Sequence, residues 1–168
     1  MGEDSMRKII IGAVVMAMLT AKIVLAGTFG QYGLGIFGSA ETGRGETKLF
    51  SLGYEDDWFG PFIYQYEGGV FADQGGGGRS SSGFGNISTG VEVNPGYLLL
   101  RSLWGVGGIT SPDTQLGGIF QFNQDLLLGV KDNKGNIIGL DYKHISSAGL
   151  ESPNRGRDFI LIHVEIPW

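Results

Sequence analysis

The sequence has no cysteine, which removes both a disulfide framework and any cysteine-based zinc site. Charged residues make up only 17% of the chain, against about 25% in ordinary soluble domains. The net charge is -5, and the 12 Lys and Arg residues form no stripe, so no nucleic-acid partner is expected. Long apolar runs are also scarce. One occurs near the N-terminus, and nothing after it approaches the ~20 residues of a spanning helix. If the rest of the chain lies in a membrane, it does so as a closed barrel, because only helices and closed sheets satisfy every backbone group in lipid.

The early run has the order of a secretory signal peptide. Arg7 and Lys8 precede apolar residues from Ile9 to Ala21, and Val24-Leu25-Ala26 supplies small residues for cleavage after Ala26. A membrane-anchoring helix is the other reading, but Lys22 cuts the run short. Residues 1–26 are therefore expected to direct export, and residues 27–168 to form a single domain.

What is abundant is glycine, at 31 residues, with aromatics at 11%. These are distributed with a period of two. Phe50, Leu52 and Tyr54 oppose Ser51 and Glu55; Leu98, Leu100, Trp104 and Val106 oppose Arg101; Phe120, Phe122, Leu126, Leu128 and Val130 oppose Gln121, Asn123 and Asp125. That alternation predicts eight strands, near 28–38, 47–58, 62–72, 84–94, 96–107, 117–131, 136–146 and 158–168. One face is apolar and the other carries Glu55, Glu67, Arg101, Asp125, Asp141, Lys143 and Glu165. A soluble sandwich would hide the apolar face, whereas a membrane barrel would turn it to lipid.

The connections favour the barrel. Short turns at 58–61, 94–96 and 132–135 alternate with longer polar stretches at 39–46, 73–82, 107–116 and 147–157. That is the rhythm of an all-β, eight-stranded, antiparallel up-and-down outer-membrane barrel of a Gram-negative bacterium, with short periplasmic turns and longer external loops. Trp58, Phe59, Phe62, Tyr97 and Trp168 gather at the short-turn end, as an interfacial aromatic belt would.

Both histidines fall in the last thirty residues. His144 and Ser146 stand two apart in one strand and so share a face. A loop of turn formers then brings Asp158 back beside them at the start of the next strand. All three continue the apolar faces of their strands. In a barrel they lie on the lipid-facing wall at its outer edge, beside lipids of the external leaflet. A serine activated by a histidine that a carboxylate orients is an arrangement for acyl transfer from an ester.

His144-x-Ser146-x-Ala148-Gly149-Leu150, followed by Pro153-Asn154-x-Gly156-x-Asp158, resembles the C-terminal signature of the PagL-type lipid A deacylases. The close match covers roughly the last thirty residues. The resemblance implies an eight-stranded outer-membrane barrel, a carboxylic ester hydrolase that releases the 3-O-acyl chain of lipid A. It assigns Ser146 as nucleophile, His144 as general base and Asp158 as the acidic member, where the family usually has Glu. Ser147 stands where the family usually has an Asn that helps hold the oxyanion, and the backbone of Gly149 is the other donor. Asn154 joins them as a substrate-binding candidate. Lipopolysaccharide and the membrane are the partners implied; a homodimer is left open, and neither cofactor nor metal is called for.

Two other classes stay open: a non-catalytic barrel of the same lineage that binds lipid or a partner, and a soluble exported sandwich with a binding role. Gly33 to Gly38 fits G-x-G-x-x-G, but it opens no helix and belongs to no βαβ unit. Close packing of a barrel strand explains it better. His163 beside Glu165 reads as part of an internal polar network.

Overall fold

In a computed structural model of the chain, the described residues are 27–37, 47–73, 81–111, 116, 118–150 and 156–167. The expected signal peptide lies outside them, as do Trp168 and much of the long connections. Eight strands follow in chain order: β1 (Gly27–Phe37), β2 (Thr47–Phe59), β3 (Phe62–Asp73), β4 (Ser81–Val93), β5 (Leu98–Ile109), β6 (Phe120–Lys131), β7 (Ile137–Ser146) and β8 (Arg157–Ile166). Each pairs antiparallel with its sequence neighbours, and β1 pairs with β8, closing the barrel. Closure leaves no unpaired edge.

The sandwich is excluded by where the apolar residues point. Tyr32, Phe50, Leu52, Ile87, Trp104, Leu128, Leu140 and Ile162 are exposed on the outer wall. Arg101, Lys143, Asp125, Asp141, Glu55, Glu67 and His163 are buried inside. That is a lipid-facing exterior around a polar filling. Trp58, Phe59, Phe62 and Tyr97 are exposed at the short-turn end, and the first three form a packed run with ring centroids 5.0–5.5 Å apart.

Strand limits differ from the sequence reading by a few residues, for local reasons. β5 starts at Leu98 rather than 96 because Gly96 adopts φ 80° in a turn whose N–H donates to Asn94 O at 3.1 Å. β6 starts at Phe120 because the Gln121 amide donates to Leu116 O at 3.1 Å and to Gly118 O, holding the preceding residues as a turn. The turn between β6 and β7 is organised by Asp132, which accepts from the Lys134 and Asn136 backbone N–H groups at 2.8 and 2.9 Å. The Asn136 side-chain amide and these N–H groups hold its carboxyl below the usual carboxylate range.

The interior of the described barrel holds two apolar clusters and a charged network, the smaller cluster being Leu99, Leu127 and Ile137. At the long-loop end Leu49, Phe71, Phe84, Ile109, Leu116, Ile145, Phe159 and Leu161 form an apolar plug, with Phe71 stacked between Phe84 and Phe159 at 4.8 and 5.7 Å. Below it lies a charged network. Lys143 binds Glu67 and lies 3.4 Å from Asp125. Arg101 bridges Glu55 (2.6 Å), Glu92 (2.5 Å) and Glu165 (3.1 Å). His163 stacks on Phe29 at 5.1 Å and contacts Gln31 at 3.0 Å and Glu165 at 3.4 Å, so the internal reading of that histidine holds. Gly33 is closely packed: a Cβ there would meet Ile160 O at 1.9 Å, which is a strand-packing role and not a nucleotide cradle.

The folded barrel should migrate faster than the heat-denatured chain on a gel run without boiling. Lys143→Met leaves Glu67 and Asp125 without their buried cation, and should destabilise by about 3–5 kcal/mol. The measurement is a fall in the temperature at which the fast-migrating band disappears; a band as heat-resistant as the wild type's would show that the lysine is dispensable.

Candidate active site at the end of β7 and β8

The last residues of β7 and the first of β8 face each other in antiparallel register. His144 is the direct partner of Asp158, and Tyr142 of Ile160. Because side chains alternate, Tyr142, His144 and Ser146 project outward, while Asp141, Lys143 and Ile145 project into the filled interior. Ile145 and Phe159 belong to the apolar plug, so the backbone carrying the outer residues is packed from behind.

His144 Nδ1 lies 2.7 Å from Asp158 Oδ1. A carboxylate oxygen accepts, so a hydrogen bond here takes its hydrogen from Nδ1 and leaves Nε2 directed away from the acid. The pair is partly open to its surroundings, with side-chain exposures of 36% for His144 and 19% for Asp158. Tyr142 Oη donates to the same Oδ1 at 2.5 Å. Gly156, with φ 68°, lies against the imidazole: a Cβ there would fall 2.7 Å from Cε1 and 3.3 Å from Nε2. The ring is therefore held by a carboxylate at one nitrogen and by backbone at its far edge.

Ser146 is half-buried on the same outward face, one side-chain repeat beyond His144. Among the described residues no hydrogen bond joins its hydroxyl to the imidazole; catalytic contacts of this kind commonly tighten only when substrate binds. Ser147 is fully buried, and its carbonyl accepts the Leu150 N–H at 3.0 Å. Ala148 (φ 50°) and Gly149 (φ 80°) shape the turn between them, and Ala148 is the one non-glycine with positive φ among the described residues. Such backbone costs of order 1–2 kcal/mol for an L-residue, and gathers at functional sites. Gly149 is exposed. Asn154 lies outside the described residues.

Of the residues singled out from the sequence, His144 and Asp158 are in direct contact, Ser146 is on the same outward face and Ser147 is buried. Three neighbours were not singled out as site residues. Tyr142 reads as one more member of an apolar face, and only the cross-strand register gives its hydroxyl a partner. Gly156 reads as a turn former. Gln124, the direct partner of His144 on β6, stands exposed on the outer wall; its signal is a polar residue on the face of Phe122 and Leu126.

The chain has clear likenesses among known proteins. The family model described as lipid A 3-O-deacylase (PagL) matches residues 32–167. The lipid A deacylase PagL of Bordetella bronchiseptica is 42% identical over 50 residues, a stretch spanning 30% of this chain and 28% of that relative. The crystal structure of the outer membrane enzyme PagL superposes with a TM-score of 0.64 at 19% identity, covering 83% of this chain and 99% of that one. The attachment invasion locus protein Ail of Yersinia pestis shares the barrel more loosely, with a TM-score of 0.51, 12% identity and coverage of 84% and 97%. At such identities the two structures speak for the fold, while the family match runs from β1 to the residue after β8. The chain belongs to the PagL family of lipid A 3-O-deacylases and is an outer-membrane β-barrel.

Proposed function

We propose that this protein is a serine esterase that hydrolyses the 3-O-linked acyl chain of lipid A in the outer leaflet. The observation that carries the reading is the His144–Asp158 contact of 2.7 Å on the lipid-facing wall beside Ser146, in a chain of this family. With the long loops outside, this wall lies at the level where the lipid's ester bonds begin.

In the proposed reaction His144 Nε2 takes the Ser146 hydroxyl proton as Oγ attacks the ester carbonyl carbon. Asp158 stabilises the imidazolium that forms. The Gly149 N–H donates to the tetrahedral oxyanion, with a contribution on the order of 3–4 kcal/mol for such a donor. Ser147 remains in the proposal as the second oxyanion donor; its carbonyl accepts the Leu150 N–H in the turn that presents Gly149. Collapse breaks the bond to the sugar oxygen, which takes the proton from His144 and leaves an acyl-serine. Water, deprotonated by the same imidazole, then releases the fatty acid and restores Ser146. Asn154 remains in the proposal as a substrate-binding residue of the loop. All three members of the trio come from adjacent strands of one chain, so no side chain of a second copy enters this scheme. Cleavage after Ala26 completes the proposal; mass measurement of the mature protein would then give a chain beginning at Gly27.

Purified protein incubated with lipopolysaccharide-bearing membranes should release a fatty acid detectable by mass spectrometry. Ser146→Ala and His144→Asn should each abolish release, and Asp158→Asn should lower kcat by as much as about 10⁴-fold because Asn no longer fixes the imidazole tautomer. Persistent release from the serine variant would remove Ser146 as nucleophile. No release from the wild type would favour the non-catalytic, lipid-binding barrel.

Gly156→Ala tests the seat of the imidazole separately. Its methyl group would fall 2.7 Å from Cε1, so the ring must shift, and a misplacement of about 1 Å can cost about 10²-fold in rate. The folded fraction on an unboiled gel should be mostly retained. An unaltered kcat would mean that the ring has room the structure does not give it.

A further inference from the structure

The hydrogen bond from Tyr142 to Asp158 has no part in the reaction above. It is nevertheless the site's most specific contact after the histidine–aspartate pair. Tyr142 and His144 are two apart on β7 and share the outward face. Tyr142 pairs directly with Ile160, so Asp158 is its diagonal neighbour on β8, at a separation that only long or aromatic side chains bridge. Its hydroxyl does bridge it, at 2.5 Å, and reaches the same Oδ1 that His144 Nδ1 contacts at 2.7 Å. Two donors thus converge on one oxygen from one strand.

The geometry points to Tyr142 as a positioning residue that fixes the Asp158 carboxylate, and through it the tautomer and plane of His144. This rests on the proposed esterase reading and deepens it. The physical need comes from the length of the acid. Asp has one methylene fewer than Glu, so its carboxylate meets the imidazole from a shorter arm and over a narrower range of rotation. The Asp158 side chain is only 19% exposed, so little solvent holds its carboxylate in place. A phenol on the neighbouring strand supplies a second fixed point: with Oδ1 accepting from both Nδ1–H and Oη–H, rotation of the carboxylate breaks two bonds at once. Nδ1 then keeps its hydrogen, and Nε2 stays available to Ser146. A longer acid would reach the imidazole without that support.

The test is a double-mutant cycle between Tyr142→Phe and Asp158→Glu, using full-length barrel in detergent or lipid nanodiscs with lipopolysaccharide as substrate. Tyr142→Phe keeps the ring on the lipid face, and its folded fraction is read from the unboiled gel. Expected is a fall in kcat of about 10-fold or more with KM little changed, the pattern of a group that acts on the base and not on binding. In the Asp158→Glu background the same substitution should cost under about threefold, so that the two changes are strongly non-additive. Equal losses in both backgrounds, or no loss in either, would overturn the positioning role.

A second readout does not depend on turnover. The chain has two histidines, so ¹⁵N-labelled imidazoles give few resonances. In the wild type His144 should be a single tautomer protonated at Nδ1, and in Tyr142→Phe a mixture. Identical tautomer populations in the two proteins would also overturn the inference. A wild type that holds one tautomer but releases no fatty acid would sink the esterase reading and leave the contact standing.

Discussion

The whole structure depends on one constraint, the two-residue period of a sheet that closes on itself. In lipid every backbone N–H and C=O must find a partner within the protein, and the β1–β8 pairing supplies the last of them. Once closed, the sheet has an inside and an outside, and each residue is assigned to one by parity alone. Leu140, Tyr142, His144 and Ser146 go out; Asp141, Lys143 and Ile145 go in. A slip of one residue in the β7–β8 register would exchange the two sets, turning the imidazole into the lumen and a lysine to lipid. The charged network that holds Lys143 and the plug that holds Ile145 make that slip prohibitive.

The filling of the barrel and the site on its wall are therefore one construction. Lys143 is tied to Glu67 and Asp125, and Phe159 is stacked into the plug. These two interior residues are direct partners across β7 and β8, immediately next to the partners His144 and Asp158. The backbone that aims the outer pair is thereby gripped from within at the adjacent rung. A polar interior so heavily charged contributes little net stability compared with a well-packed apolar one. What it contributes here is a fixed register, and a fixed register is what keeps His144 opposite Asp158 across the two strands.

Placement on the outer wall also sets the kind of chemistry the site suits. A water-filled lumen would present these groups to soluble molecules, but the lumen is blocked at the long-loop end by Leu49, Phe71, Phe84 and Phe159. The outward face presents them to lipid, at the barrel end from which the flexible acyl region and the polar headgroup of an amphiphile are both within reach. Family membership and the outward facing of His144 and Asp158 are the two separate supports of the proposed substrate class.

Much of this was legible in the residues themselves. Alternation of Phe50, Leu52 and Tyr54 with Ser51 and Glu55, and the rhythm of short and long connections, carried the strand count and the barrel. The facing of His144, Ser146 and Asp158 followed from parity, which is a local property of the chain. Strand ends at Leu98 and Phe120 were set by turn hydrogen bonds that a periodic pattern does not register. What only the tertiary structure decided was contact between residues distant in sequence: the Tyr142 hydroxyl on Asp158, Gly156 against the imidazole, and Lys143 paired with Glu67. The reason is physical. Parity is fixed by the backbone of one strand, but a hydrogen bond across strands depends on register and side-chain reach, and both are settled only when the sheet closes.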